Sequence, residues 1–196
     1  FADTLTLLVN SAVGDIEASG AILFENVVDI RNAASIGAVS SFGSGITFAD
    51  RLVMLNDASI GGIDVKGNVG FKEIDANGSL ALIDNILSRS GNVTVSGNLT
   101  LGNGSTIGTI TGSGDVLIGA DGSSLTLESG ASIGDITADH GKITFDETLT
   151  LGSGATIGDL FAGSGVEFVG EVSLGSGATL GAGNTIDGGS GGVVFS

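Results

Sequence analysis

The chain has 196 residues with 36 Gly and no Pro, Cys, Trp or Tyr, and its 22 acids against 6 bases give a formal charge of −16. That length fits one domain and 41% apolar residues can supply a core, whereas the missing Pro and three-residue Gly period exclude collagen, and the missing Cys excludes disulfides and thiolate sites. The acidity argues against a nucleic-acid partner, which needs clustered Lys and Arg, and no apolar run reaches the roughly 20 residues of a membrane span, so no transmembrane segment is expected.

The first predicted strand is Leu5-Thr6-Leu7, and the pattern it opens recurs along the chain. Six residues after the second apolar position comes a marker: Leu7 leads to Val13, Ile30 to Ile36, Ile74 to Leu80, Leu101 to Ile107, Leu127 to Ile133, Leu151 to Ile157 and Leu174 to Leu180. Leu55 to Ile60 is one residue shorter. The markers define about eight units of roughly 24 residues, a solenoid period. Three residues beyond them stand Ile16, Val39, Ile63, Ile83, Ile110, Ile136 and Leu160, with Gly183 breaking the column in the last unit. Each unit then carries an alternating pair, such as Ile22/Phe24, Val93/Val95 or Val193/Phe195. Phe24, Phe48, Phe71, Phe145, Phe168 and Phe195 fall in this one column.

Period-2 apolar pairs bounded by Gly, Ser, Asn and Asp read as short half-buried strands, three to a unit. The prediction is a single all-β domain over 1–196, a three-sided parallel β-helix (β-solenoid) with the right-handed crossover usual for parallel strands. Coils about 4.8 Å apart would stack Leu on Leu and Phe on Phe. One coil cannot offset its own ordering entropy, so only the stacked array is stable. The spacing slips between Ile60 and Ile107, which predicts the least regular coil around 75–97 with a longer loop at Ala81–Arg89, and the most regular repeats over 98–196.

The segment Leu-Thr-Leu-Gly-Ser-Gly-Ala-Thr-Ile-Gly at Leu149–Gly158, nearly repeated at Leu99–Gly108, resembles the repeats of bacterial autotransporter passengers and filamentous-haemagglutinin-like adhesins. The resemblance implies an extracellular, cell-surface β-helix. A start at Phe1 is read as a mature exported chain whose targeting segment has been removed, or as a trimmed one.

Catalysis finds little support in the residues. His140, the one histidine, reads as a solvated turn residue. Arg31, Arg51, Lys66, Lys72, Arg89 and Lys142 are scattered, and a sugar-stacking platform of Trp or Tyr is missing. Asp135 and Asp159 share a column on adjacent coils, with Asp15 far below them. The pair is a candidate Ca²⁺ site, against the simpler reading of a solvated acidic ladder. No other cofactor is expected. Asn77, Asn92, Asn98 and Asn103 each open an Asn-x-Ser/Thr sequon.

Neither terminus reads as a polar cap, which soluble solenoids need. Leu5 and Leu7 at one end and Val193 and Phe195 at the other are the predicted assembly ends. If Phe1 of one copy followed Ser196 of another, Phe195 would lie six residues before Leu5, against four from Phe145 to Leu149. The expected partner is therefore the chain itself, stacked head to tail as a structural subunit of an extracellular filament with a rise of about 38 Å. The alternative is a shaft segment of an adhesin or autotransporter-like passenger. A β-helix carbohydrate-active enzyme is a third reading that the residues disfavour. Residues 1–96 carry 11 acids and 5 bases, and 97–196 carry 11 acids and 1 base. Cations between filaments are thus expected to govern bundling.

Overall fold

The computed structural model describes residues 3–120, 122–181 and 185–195. Glycine-bounded apolar pairs form two- and three-residue strands that pair in parallel with the coils before and after. They build three sheets of fourteen, eight and eight strands, wrapped as a β-solenoid of about eight turns. No α-helix occurs among the described residues, and the one helical element is the 3₁₀ turn Gly189–Gly191.

Each coil spends four strands on the three sheets, not the three strands predicted. The leucine strand and the preceding pair strand share one wide sheet, parted only by a bend, as in Val93–Val95 and Leu99–Leu101. In two coils the bend vanishes and they fuse into Ile46–Met54 and Val69–Ala76. The markers form a second sheet and the residues three further on a third. Alternation sends one side chain of each strand outward and its neighbours into the common core, where Ile30, Ile46, Leu52, Ile63 and Ile107 are fully buried.

The predicted phenylalanine column is an internal stack in two segments. Ring centroids lie 4.6 Å apart for Phe24–Phe48, 4.8 Å for Phe48–Phe71, 5.0 Å for Phe145–Phe168 and 4.8 Å for Phe168–Phe195. Val95 and Ile118 bridge the two segments in the same register. Phe195 differs from the rest because, at the end of the column, it is 66% exposed.

The middle coils correct the sequence reading. Leu80 is not a marker: it is exposed with φ 58°, and Ile83 takes the column between Ile60 and Ile107. Ile86, not Ile83, then aligns with Ile63 and Ile110. The predicted loop Ala81–Arg89 holds the strands Leu82–Ile83 and Ile86–Ser88. Two residues of the slip arise because Ile74 aligns with Leu99, the first inward residue of its strand, so that Ala76 and not Ile74 is the counterpart of Leu101. The third is an insertion in the turn after Ala76, where Ala76 to Ile83 spans seven residues against six from Met54 to Ile60. Met54, rather than Leu55, is the inward residue there. In the last coil Ile186 continues the third-sheet column beside Leu160, after an insertion that contains Gly183, which lies outside the described residues.

A buried serine repairs the inserted turn. In ordinary coils an alanine N–H donates back three residues, as from Ala58 to the Leu55 carbonyl at 3.0 Å or from Ala131 to the Glu128 carbonyl at 3.1 Å. In the lengthened turn Ala81 N–H donates instead to Ser105 Oγ on the next coil at 3.0 Å, and that hydroxyl donates to the Gly78 carbonyl at 2.7 Å. Ser105 thus stands in a column of alanines to insert one hydroxyl into one overlong turn. Ser41 and Ser88, the other buried polar residues among those described, likewise fasten turns by bonding the Gly20 and Gly67 carbonyls. Replacing Ser105 by Ala leaves a buried N–H and C=O unpaired, so the chain should lose about 1–3 kcal/mol of unfolding free energy in urea. A neutral result would show that the turn relaxes without the hydroxyl.

The turn between the wide and marker sheets places one left-handed residue per coil. From the first coil these are Asn10, Ala33, Asp57 and Leu80 with φ of 58°, 54°, 56° and 58°, then Gly104, Gly130, Gly154 and Gly177 with φ of 65° to 70°. Glycine takes this conformation freely, whereas an L-residue is penalised by about 1–2 kcal/mol. Leu80→Gly relieves that strain and removes an exposed leucine, against the added freedom glycine gives the unfolded chain. The expected net gain is about 1 kcal/mol, and an unchanged or lower denaturation midpoint would contradict it.

Candidate assembly edges and polar ladders

Parallel stacking leaves each end of the solenoid with a row of strands paired on one side only. Among the described residues, Leu5–Leu7, Ala12–Val13, Ile16–Ala18 and Ile22–Phe24 form one edge. Val172–Leu174, Thr179–Leu180, Ile186–Asp187 and Val193–Phe195 form the other. Every strand on the first edge has its columnar counterpart on the second, so the two edges offer the same four-strand outline with opposite polarity.

Core columns open to solvent at these edges. Val13 is 39% exposed where Ile36 and Ile60 in its column are buried, and Leu174 is 52% exposed where Leu127 and Leu151 are buried. Val193 and Phe195 are exposed too, whereas Leu7 is buried and Leu5 half-buried. Of the four predicted assembly residues, the two at the C-terminal edge are therefore the open ones. Sequence reading missed Val13 and Leu174 as edge residues, although their columns identify them.

Asp135 and Asp159 lie on adjacent coils, and each carboxylate fastens the coil above it. Asp135 Oδ1 accepts the Asp159 backbone N–H at 2.8 Å, and Asp159 Oδ1 accepts that of Thr185 at 3.1 Å. Asp15 does the same for Ala38 at 2.8 Å, as does Asn85 for Thr109. A second ladder climbs the next corner, from Asn68 to the N–H of Asn92, from Asn92 to that of Asp115 and from Asp115 to that of Lys142, each at 2.9 Å. Side chains that recur at these turns thus act as rung-to-rung latches. No cluster of three or more His, Cys, Asp or Glu suited to a metal occurs among the described residues.

All four sequon asparagines are exposed. They do not share one spot: Asn92 sits at the corner before the wide sheet, Asn98 at its bend, and Asn77 and Asn103 at the corner after it. Asn98 Oδ1 accepts the Ser124 N–H at 3.1 Å, so its amide, like that of Asn92, already serves a latch. His140 is an exposed turn residue with Nδ1 3.2 Å from the Ser113 carbonyl oxygen.

Cations are placed against carboxylates on the same or neighbouring rungs. Arg31 pairs with Asp29 at 2.8 Å, Arg51 with Asp75 at 3.5 Å and Lys142 with Glu167 at 3.5 Å. Arg89 grips Asp64 with two nitrogens, Nε donating at 2.7 Å. The hydrogen bond to Asp64 and then its negative charge raise the Arg89 pKa. Exposed Lys66 makes no ion pair among the described residues, and it lies beside Phe42, Asp64 and Arg89 in a shallow depression. The chain is a parallel β-solenoid of the general architecture found in β-helix surface proteins, and no family model, curated protein or solved structure matches it.

Proposed function

We propose that the chain is a structural, non-enzymatic subunit that stacks end to end into an extracellular filament. The observation that carries this reading is the pair of matching open edges, with Val13 39%, Leu174 52% and Phe195 66% exposed in columns otherwise buried. A parallel edge with unpaired N–H and C=O groups templates another strand. Joining unlike edges of identical copies is a heterologous contact that propagates as a fibre unless rotation closes it. A second reading, a shaft segment of a cell-surface adhesin or autotransporter-like passenger, draws on the Leu149–Gly158 repeat and on the same edges, which further coils of a longer polypeptide would continue.

Electron micrographs of the purified 196-residue chain test the first reading, with threads of about 38 Å axial repeat expected from eight coils at about 4.8 Å. Monodisperse particles one solenoid long at high micromolar concentration would support the shaft instead. Sixteen net charges per subunit should keep threads apart at low ionic strength, since the Debye length is about 30 Å at 0.01 M salt. Threads should therefore gather sideways when salt or a divalent cation is added and separate again in EDTA at low salt. Bundling indifferent to both would contradict this account of the charge.

A further inference from the structure

The third sheet presents a face whose two halves complement each other. Its outward column reads, from coil 1 to coil 8, Glu17, Ser40, Asp64, Leu87, Thr111, Thr137, Phe161 and Asp187. The adjoining corner column reads Phe42, Lys66, Arg89, Ser113, Asp139 and Gly163 from coil 2 to coil 7, tied rung to rung by backbone bonds of 2.9–3.0 Å. Phe42 is 66% exposed and Phe161 38% exposed. These rings stand on coils 2 and 7, equidistant from the middle of the sheet. Lys66 and Asp139 stand on coils 3 and 6, equidistant as well.

We infer that this face pairs with the same face of a second copy, the two solenoid axes antiparallel and a two-fold axis passing between coils 4 and 5. Such an axis, lying along the strand direction, reverses the coil order but keeps each column opposite itself. Coil 2 then faces coil 7, coil 3 faces coil 6 and coil 4 faces coil 5. Phe42 meets Gly163, which has no side chain to obstruct the ring, and Phe161 meets Ser40. Lys66 meets Asp139, so the cation left without an ion pair in one copy gains a carboxylate in the other. Arg89, already held by Asp64, meets Ser113, while Leu87 meets Thr111. The two-fold makes each contact twice, as an isologous interface requires.

Neighbouring registers fit worse. Sliding by one rung in one sense sets Phe42 against Asp139 and Phe161 against Glu17; the other sense sets Phe161 against Asp64, leaves Lys66 opposite Gly163 and moves Asp139 to Arg89, whose guanidinium Asp64 already holds. The chosen register has one unfavourable contact, Glu17 opposite Asp187, at the solvated rim where salt screens it. The footprint, eight rungs long and about four residues wide, is roughly 500 Å² per copy, below the ~800 Å² of a standard interface. The pair is therefore weak, and this inference is independent of end-to-end stacking because it uses a side face.

The absence of native cysteine makes a covalent test direct. The double variant Lys66→Cys with Asp139→Cys brings unlike thiols together across the two-fold. Within one copy those positions are three rungs apart, about 14 Å, beyond disulfide reach. Mild oxidation should give a reducible covalent dimer of the double variant, at least tenfold more than either single variant gives. The inference is overturned if the singles cross-link equally, if no dimer forms, or if Arg89→Cys with Asp139→Cys, which reports the one-rung slip, cross-links better. Sedimentation gives a second reading: Lys66→Asp should weaken pairing at least tenfold and adding Asp139→Lys should restore it. Failure of that exchange to restore pairing would also overturn it. Leu174→Lys, which blocks end stacking, should leave the cross-link unchanged, and its loss there would assign the contact to the ends.

Discussion

Filament growth should stop when a lysine replaces either Val13 or Leu174, with the folded monomer left intact. Both side chains are substantially exposed in the free chain, 39% and 52% respectively, so an ammonium at either position remains hydrated and the melting temperature should hardly move. At a joint the same position becomes core. Leu7 would seat on Leu174, Val13 on Leu180, Ile16 on Ile186 and Phe24 on Phe195, continuing columns whose interior members are buried. Burying an unpaired ammonium costs several kcal/mol even after relaxation. Full burial of one apolar side chain contributes about 1.5–3 kcal/mol, so one lysine cancels much of the gain from its edge. The expected readout is a loss of threads in micrographs and a fall to monomer-sized scattering.

Polarity makes the experiment sharper when the variants are mixed. A Val13→Lys copy retains a competent C-terminal edge, and a Leu174→Lys copy retains a competent N-terminal edge. Together they can form one joint and no more, so an equimolar mixture should yield dimers about 76 Å long. Threads from the mixture, or from either variant alone, would show that growth does not use these edges. No dimer in the mixture would show that they do not meet in the register proposed.

The strand columns were legible in the sequence wherever a unit kept its length. The pair column from Ile22/Phe24 to Val193/Phe195 needed no adjustment, because alternation and a near-constant period act together there. The reading failed at Leu80, where fixed spacing selected an exposed leucine in a left-handed turn over Ile83. Hydrophobicity alone cannot separate those two; the telling signals were Met54, which restores the six-residue interval one unit earlier, and Ser105, a hydroxyl in a column of alanines. The fusion of two strand sets into one wide sheet also escaped notice, since a three-residue bend such as Ser96-Gly97-Asn98 and a corner have the same Gly, Ser and Asn composition. Asp135 and Asp159 were placed correctly on adjacent coils, yet spacing could not show that each carboxylate accepts a backbone N–H from the coil above. Such latches depend on side-chain direction, which a column alignment does not encode. The −16 charge resolves in part into these ladders and into the ion pairs of Arg31, Arg51, Arg89 and Lys142.

Gly78→Ala should be among the most damaging single-methyl changes at the described glycines, lowering unfolding free energy by more than about 3 kcal/mol. A Cβ at Gly78 would sit 2.2 Å from the Leu55 carbonyl carbon, 2.4 Å from Asn56 N and 2.7 Å from Leu55 Cα. All three are backbone atoms of the preceding coil, so no side chain can swing aside, and the clash forces two rungs apart. Gly78 is buried within the inserted turn, where its carbonyl also takes the Ser105 hydroxyl, so displacement breaks that bond as well. Gly130→Ala is the control: its φ is +66° but nothing lies within 4 Å of the added methyl, so it should cost only about 1–2 kcal/mol. Because coils contact only their neighbours, stability in such an array is a sum of repeat and interface contributions. Weakening the joint between coils 3 and 4 should therefore do more than lower the midpoint: it should split unfolding into two steps, coils 1–3 separating from coils 4–8. Hydrogen exchange would place the new boundary at Leu55–Asn56. Equal losses for Gly78→Ala and Gly130→Ala would show that the coils can spread at this turn at little cost.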